Sequence, residues 1–157
     1  MEIQLLFVGK TKKKYLVDEL DAYKNKIQRF VKFSFVCVEE SKKNKKINLK
    51  QLREKEFKLI LKKIAPNDIV IILDEKGKML NSIDFANEIQ SYMNKGKKRI
   101  IFIIGGAFGL SNKFYDKFKI RIALSRMTFS HQIIRLFFCE QLYRAFSIIN
   151  NHPYHNN

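Results

Sequence analysis

Four ionisable side chains, His131, Arg135, Glu140 and Arg144, punctuate a C-terminal stretch otherwise dominated by Ile, Leu and Phe. From Leu124 the chain reads LSRMTFSHQIIRLFFCEQLYRAFSIINNHPYHNN: a short polar loop, one long helical pattern and an aromatic-histidine tail. Desolvating ionisable groups is costly unless they are paired, so their placement on a helix that is apolar nearly all round points to a use. Glu140 and Arg144 stand four apart in the acid-to-base order of a helical ion pair, which is a sufficient structural account. His131 and Arg135 are also four apart, next to the loop Ser125–Phe129, and a single histidine is more often structural than functional. In the tail NNHPYH, Pro153 stiffens a segment that would ordinarily fray, and Tyr154 offers a face for stacking on a base.

Arginine is scarce. Seven of the 31 basic residues are arginine, and five of these (Arg99, Arg121, Arg126, Arg135, Arg144) follow one another from residue 99 onwards. Its planar fork fits phosphate and carboxylate as an ammonium does not, which favours an anion-handling region at the C-terminal end. The net charge of +16 fits a polyanionic partner, although lysines also solvate the surface of a chain this rich in Lys, Asn, Ile and Phe.

These residues need a scaffold, and the apolar pattern predicts one. Ile3–Val8, Val31–Val38, Asp68–Asp74, Arg99–Ile104 and Ile120–Leu124 are short apolar runs of the kind that form buried strands. Between them, Leu16, Leu20, Tyr23 and Ile27 mark one face of a helix over Lys14–Gln28. A second helix runs from Leu49 to Ile64, where Pro66 stops it after the lysine-rich loop Ser41–Lys46. Ser82 is placed to cap a third helix to Asn94 with Phe85, Ile89 and Met93 inward, and Ser111 to cap a short fourth to Phe118. Strands alternating with helices predict a parallel α/β sheet covered on both faces, in one domain over residues 1–157. The terminal helix, apolar around its whole circumference, must be buried on several sides; a second copy in a two-fold dimer is the simplest cover.

Gly105-Gly106-x-x-Gly109 follows the fourth strand and leads into a helix, the context of a nucleotide-binding turn. The spacing is not the dinucleotide fingerprint, because Ala107 and Leu110 occupy two of its glycine places. The loop is either a plain tight turn or a backbone that a ligand approaches closely. Ligands of open parallel sheets bind beyond the carboxyl ends of the strands. Leu73–Gly77 and Leu124–Phe129 end at that same edge, so three loops can converge on one pocket. The polar run Ser125, Arg126, Thr128 serves a ligand or supplies local hydrogen bonds to crowded backbone.

Hydrophobic residues make up 46% of the 157, enough for a real core rather than a disordered basic tail. Cys37 in an apolar run and Cys139 in the long helix read as buried free thiols of a reducing compartment. Met1–Gly9 reads as a strand rather than a signal peptide, and Ile100–Leu110 is too short for a membrane span and holds three glycines. No cluster has the spacing of a metal site. The expectation is a cytoplasmic protein with no membrane and no metal partner.

Six segments in order, QLLFVGK, ILDEKGK, FIIGGAFGLS, LSRMTFSHQ, EQLYRAFSI and NNHPYH, together resemble the small bacterial SPOUT-class RNA methyltransferases of the RlmH (YbeA) family, over the full length of the chain. That resemblance implies a SPOUT-type (α/β-knot) fold with a C-terminal trefoil knot, which topology rules alone would not have produced. It implies a homodimer with an active site shared between subunits. It implies S-adenosyl-L-methionine as cofactor, held by residues matching the family's contacts: Leu73, Gly105 and the run Leu124, Ser125, Arg126, Met127, Thr128, Phe129. At Leu124 and Arg126, positions that vary in the family, the contact is expected from backbone.

The implied reaction is methylation of N3 of a pseudouridine in the helix 69 loop of 23S ribosomal RNA, within assembled ribosomes. The imide N3 carries a proton at neutral pH, so the site must remove it or stabilise the anion. The residues expected to do so are Arg144 with Arg135, Glu140 as orienting group or proton acceptor, and His155 of the other subunit's tail. A non-enzymatic RNA-binding protein and a knotted methyltransferase acting on transfer RNA are the alternatives.

Overall fold

The computed structural model describes residues 1–39 and 48–154. Its elements run β1 (Glu2–Val8), α1 (Lys14–Ile27), β2 (Lys32–Val38), α2 (Leu49–Leu61), β3 (Ile69–Met79), α3 (Ser82–Asn94), β4 (Arg99–Ile104), α4 (Asn112–Lys117), β5 (Ile120–Ala123) and α5 (Ile133–Ile149). The strands form one parallel sheet in the order β2-β1-β4-β3-β5. Because side chains alternate along a strand, each central strand feeds two cores. Ile3, Leu5 and Phe7 of β1 and Ile100, Phe102 and Ile104 of β4 meet α1, α3 and α5 on one face. Leu6 and Val8, with Ile101 and Ile103, meet Ile60 of α2 and Phe114 of α4 on the other. The lysine-rich loop Ser41–Lys46 and the tail residue His155 lie outside the described residues.

The expected elements are all present, with local corrections. Asn81, not Ser82, caps α3 by accepting from the Asp84 amide at 2.8 Å, while the Ser82 hydroxyl donates to Gln141. Tyr92 rather than Met93 turns inward from α3. Cys37, expected to be buried, is exposed near the end of β2, the edge strand of the sheet. His131 precedes α5 instead of lying on it, in the turn that leads to Ile133.

β3 is longer than its apolar run. It pairs with β5 through Leu73↔Ile122, leaves the ladder, and rejoins it at Lys78↔Ile122. The residues between, 74–77, are thrown outward at the carboxyl edge of the sheet. Gly77 is what lets the strand return, since a Cβ there would stand 2.7 Å from the Ile122 backbone.

α5 rests on the sheet with α1 and α3 beside it. Phe138, Cys139, Leu142, Ala145 and Phe146 are fully buried, so much of the apolar circumference that the sequence presents is covered within one chain. Its outer line, Ile133 and Phe137, is not. The trefoil knot implied by the resemblance belongs to this end of the sheet, and the strand order is consistent with it.

Candidate active site

Three strand-end loops enclose a cleft of about 870 Å³ at the carboxyl edge of β3, β4 and β5. Leu73 and the detour after it form one wall, Gly105–Leu110 the second, and Leu124, Ser125 and Met127–Ser130 the third. The size falls within the range of small-molecule sites. Its lining pairs apolar side chains (Leu73, Ile104, Leu110, Leu124, Phe129, Ile134) with charges of both signs, the carboxylates Asp74 and Glu75 and the cations Arg53, Lys76 and Arg121.

The loops are braced against one another. Thr128 Oγ1 donates to Glu75 Oε2 at 2.6 Å, and the Arg126 guanidinium donates to the Glu75 carbonyl at 3.0 Å, which ties the third wall to the first. Ser125 Oγ accepts from the Met127 amide at 2.9 Å. Within this polar run Ser125 serves the loop's own backbone, while Arg126 and Thr128 tie it to the neighbouring loop. Gly109, at φ 73°, takes the left-handed conformation that closes the glycine loop, its amide donating to the Gly106 carbonyl at 3.0 Å. A Cβ at Gly105 would meet Leu110 at 3.0 Å.

Of the residues expected to hold a cofactor, Leu73, Gly105, Leu124, Ser125, Met127, Thr128 and Phe129 line this cleft. Arg126 does not; its side chain turns away to the Glu75 carbonyl. Sequence reasoning missed Arg53 and Tyr115. Arg53 Nε donates to the Phe108 carbonyl at 2.8 Å and so braces the glycine loop from α2. Its one signal in the sequence is that it is another of the few arginines. The Tyr115 hydroxyl donates to Asp74 Oδ2 at 2.6 Å. Burial first, and then that bond, push the phenol well above its usual pKa, so it stays a donor.

The expected catalytic residues divide into two places. Arg135 is fully buried beneath the cleft's edge. Its guanidinium donates to the carbonyls of His131 (2.9 Å) and Val8 (2.9 Å) and to Thr11 Oγ1 (2.8 Å), and lies 4.0 Å above the Phe7 ring. It pins the end of β1 to the start of α5. His131 lines the cleft.

Glu140 and Arg144 form a second cluster farther along α5. Arg144 donates to Glu140 Oε1 at 2.6 Å, a bond that raises the guanidinium's pKa. Glu140 Oε2 accepts from Gln141 at 2.6 Å. Tyr154 closes the cluster: its hydroxyl donates to Glu140 at 3.3 Å, and its ring lies under the Arg144 guanidinium at 4.9 Å and against Tyr143 at 4.7 Å. The chain end reaches this position by a sharp reversal. Asn151, at φ 52°, sits where glycine usually ends a helix, with the Asn151 amide donating to Ile148 and the His152 amide to Ser147. At 1.5 Å per residue, Arg144 stands roughly 15 Å along the helix from Ile134 at the cleft.

Among the described residues no helix is long and apolar enough to cross a membrane, and no group of His, Cys, Asp or Glu is arranged to hold a metal ion.

A parallel sheet with helices on both faces and a cleft built from the loops after β3, β4 and β5 defines an open α/β protein with a small-molecule site beyond its strand ends. The chain belongs to the SPOUT methyltransferase family: the family model described as "Predicted SPOUT methyltransferase" matches residues 1–155. Proteins named "Ribosomal RNA large subunit methyltransferase H" from Phocaeicola vulgatus and Christiangramia forsetii are each 46% identical over 156 residues, covering 99% of both chains. The protein of that name from Flavobacterium psychrophilum is 45% identical over the same span. Among solved structures, a probable methylase family protein from Haemophilus influenzae covers 99% of this chain and 70% of its own, with a TM-score of 0.52 at 12% identity, a likeness of fold.

Proposed function

We propose that this protein uses S-adenosyl-L-methionine to methylate N3 of a pseudouridine in the helix 69 loop of 23S ribosomal RNA, on assembled ribosomes in the cytoplasm, and that it does so as a homodimer. The name shared by relatives spanning the whole chain supports a ribosomal RNA target. The arrangement of α5 supports a homodimer with a shared site. Ile133, Phe137, Glu140 and Arg144 follow one another on a single helix face, at helical spacings of four, three and four. The first two are exposed apolar side chains beside the cleft, with Phe129 4.9 Å from Phe137; the last two are the ion pair under Tyr154. Met127, 74% exposed, extends the apolar line from the cleft's third loop. A two-fold axis across this face would cover the apolar residues and carry one chain's Arg144, Glu140 and tail to the other chain's cleft.

The cleft fits the cofactor. Its apolar walls suit an adenosine moiety, and Asp74 and Glu75 suit the positively charged end, while Leu73, Gly105, Leu124, Ser125, Met127, Thr128 and Phe129 would supply backbone and side-chain contacts, with Arg126 contributing backbone alone. When bound, the cofactor supplies an electrophilic methyl group. The protein's own residues prepare the nucleophile. Arg144 donates to the carbonyl oxygens flanking N3 as negative charge develops there. Glu140 holds the guanidinium in position, or accepts the N3 proton. His155 of the partner's tail closes the site over the base. Arg135 acts from beneath, as a positioning residue for the loop before α5.

The decisive experiment incubates the protein with intact ribosomes and methyl-labelled cofactor, then maps the modified nucleotide. One methyl group at N3 of the helix 69 pseudouridine is expected. Label in transfer RNA instead would move the activity to the other knotted class. Absence of cofactor binding in calorimetry would favour a non-enzymatic RNA-binding protein.

A further inference from the structure

We propose that the loop between β1 and α1 together with the first residue of α1, carrying Lys10, Lys12, Lys13 and Lys14, is the surface that grips the phosphate backbone of the substrate RNA beside the cleft. The proposal rests on the ribosomal target above and deepens it by naming the contact surface. All four lysines are exposed, and Tyr15 behind them is 61% exposed, so charge and an aromatic face are offered together. That combination fits RNA, whose backbone attracts the ammonium groups and whose unpaired bases stack on rings.

What separates this loop from the other lysines of the surface is how it is held. The Lys12 amide donates to Gln132 Oε1 at 2.9 Å, across 120 residues of sequence, and Thr11 Oγ1 accepts from Arg135 at 2.8 Å. Gln132 directly follows the cleft residue His131. The Val8 carbonyl accepts the third Arg135 bond, and a Cβ on Gly106 of the cleft's glycine loop would lie 3.3 Å from the Val8 side chain. A buried guanidinium therefore fixes a four-lysine loop against the wall of the cleft, at the same edge where the methyl group must meet the base. A rigidly placed row of cations sets the register of a bound backbone, whereas scattered lysines add only diffuse attraction.

The test replaces Lys10, Lys12 and Lys13 by Gln together, and compares a charge-matched control, Lys62→Gln with Lys97→Gln and Lys98→Gln, at the opposite, amino-terminal end of β3 and β4. All six positions are exposed, so both variants are expected to fold. Affinity for intact ribosomes and for transfer RNA is measured over a salt series, with cofactor affinity by calorimetry. The loop variant is expected to lose at least tenfold in ribosome affinity, with cofactor affinity within twofold of the parent. Its slope of log affinity against log salt should fall by about two to three, near one per phosphate contact removed. The control should change affinity less than threefold. Unchanged affinity and slope in the loop variant would overturn the proposal, as would an equal loss in the control. Loop-dependent binding to anionic lipid vesicles, with RNA affinity intact, would overturn it in favour of a membrane surface. Loop-dependent binding to transfer RNA without binding to ribosomes would retain the surface and sink the ribosomal target.

Discussion

Gly77 passes Ile122 so closely that a single added carbon would stand 2.7 Å from the Ile122 backbone. β3 leaves its partner strand after Leu73 and returns to it at Lys78, and this contact is the point of return. The detour places Asp74 and Glu75 in the cleft and gives Thr128 and Arg126 their partners. The wall of the site therefore depends on a missing side chain.

Gly77→Ala should cost about 1–3 kcal/mol, in the range of overpacked cores, because the atoms it meets are backbone and cannot turn aside. Cofactor affinity should fall at least tenfold with it. Thermal denaturation and calorimetry on one preparation measure both effects.

Glu140→Ala and Arg144→Ala should each reduce turnover by about 100-fold or more while leaving cofactor affinity within twofold, since the pair stands away from its own chain's cleft. Deletion after Asn151 should abolish turnover and leave the dimer intact. Glu140→Gln separates two roles: retained turnover assigns Glu140 to orienting Arg144, and loss equal to that of alanine assigns it the proton. Near-normal methylation by both alanine variants would return the pair to a purely structural ion pair.

Phe137 is 46% exposed on the outer line of α5 and packs near Phe129 of the cleft's third loop, ring centres 4.9 Å apart. Phe137→Glu should weaken self-association by at least about 30-fold, the scale of an interface hot spot. Sedimentation velocity should then show a monomer with unchanged circular dichroism. A variant that stays dimeric would place the seam elsewhere.

Arg135→Met leaves two carbonyls and a hydroxyl without their shared donor in the interior, and should cost about 2–4 kcal/mol in a urea titration. Arg135→Lys should recover little, because one ammonium cannot span three acceptors set around a planar fork. Full stability in the lysine variant would mean that charge alone, rather than the fork, holds the loop.

The two thiols should respond differently to pH. Burial of Cys139 pushes its thiol far up, and partial burial raises Cys37 above the ordinary thiol value. The thiolate is the reactive form, so a raised pKa means slow modification at neutral pH and acceleration as pH rises. A disulfide reagent should modify one thiol in the native protein, faster under alkaline conditions, and two after unfolding. Prompt modification of both in the native state would show that the α5 core is open.

The order of strands and helices was legible in the sequence because each apolar run declares its own period. Buried strands are continuous and helices repeat every three to four residues, and both patterns are local. The converging loops after β3, β4 and β5 were legible for the same reason, since the end of a parallel strand marks the binding edge. The length of β3 was not. Asp74–Gly77 is polar and reads as a turn, and only pairing with β5 makes it an excursion within one strand. Cys37 misled because an apolar strand says nothing of whether it lies at the centre of the sheet or its edge.

The sequence by itself determined the family, the alternating architecture and the residues available for chemistry, for these follow from residue types and short spacings. Tertiary structure decided how those residues are used. Arg135 and Arg144 are the same side chain on the same helix. One is sealed under the cleft, joining Val8, Thr11 and His131, and the other lies half open beneath Tyr154. The partners of Arg135 include residues more than 120 positions away, and no local pattern carries that information.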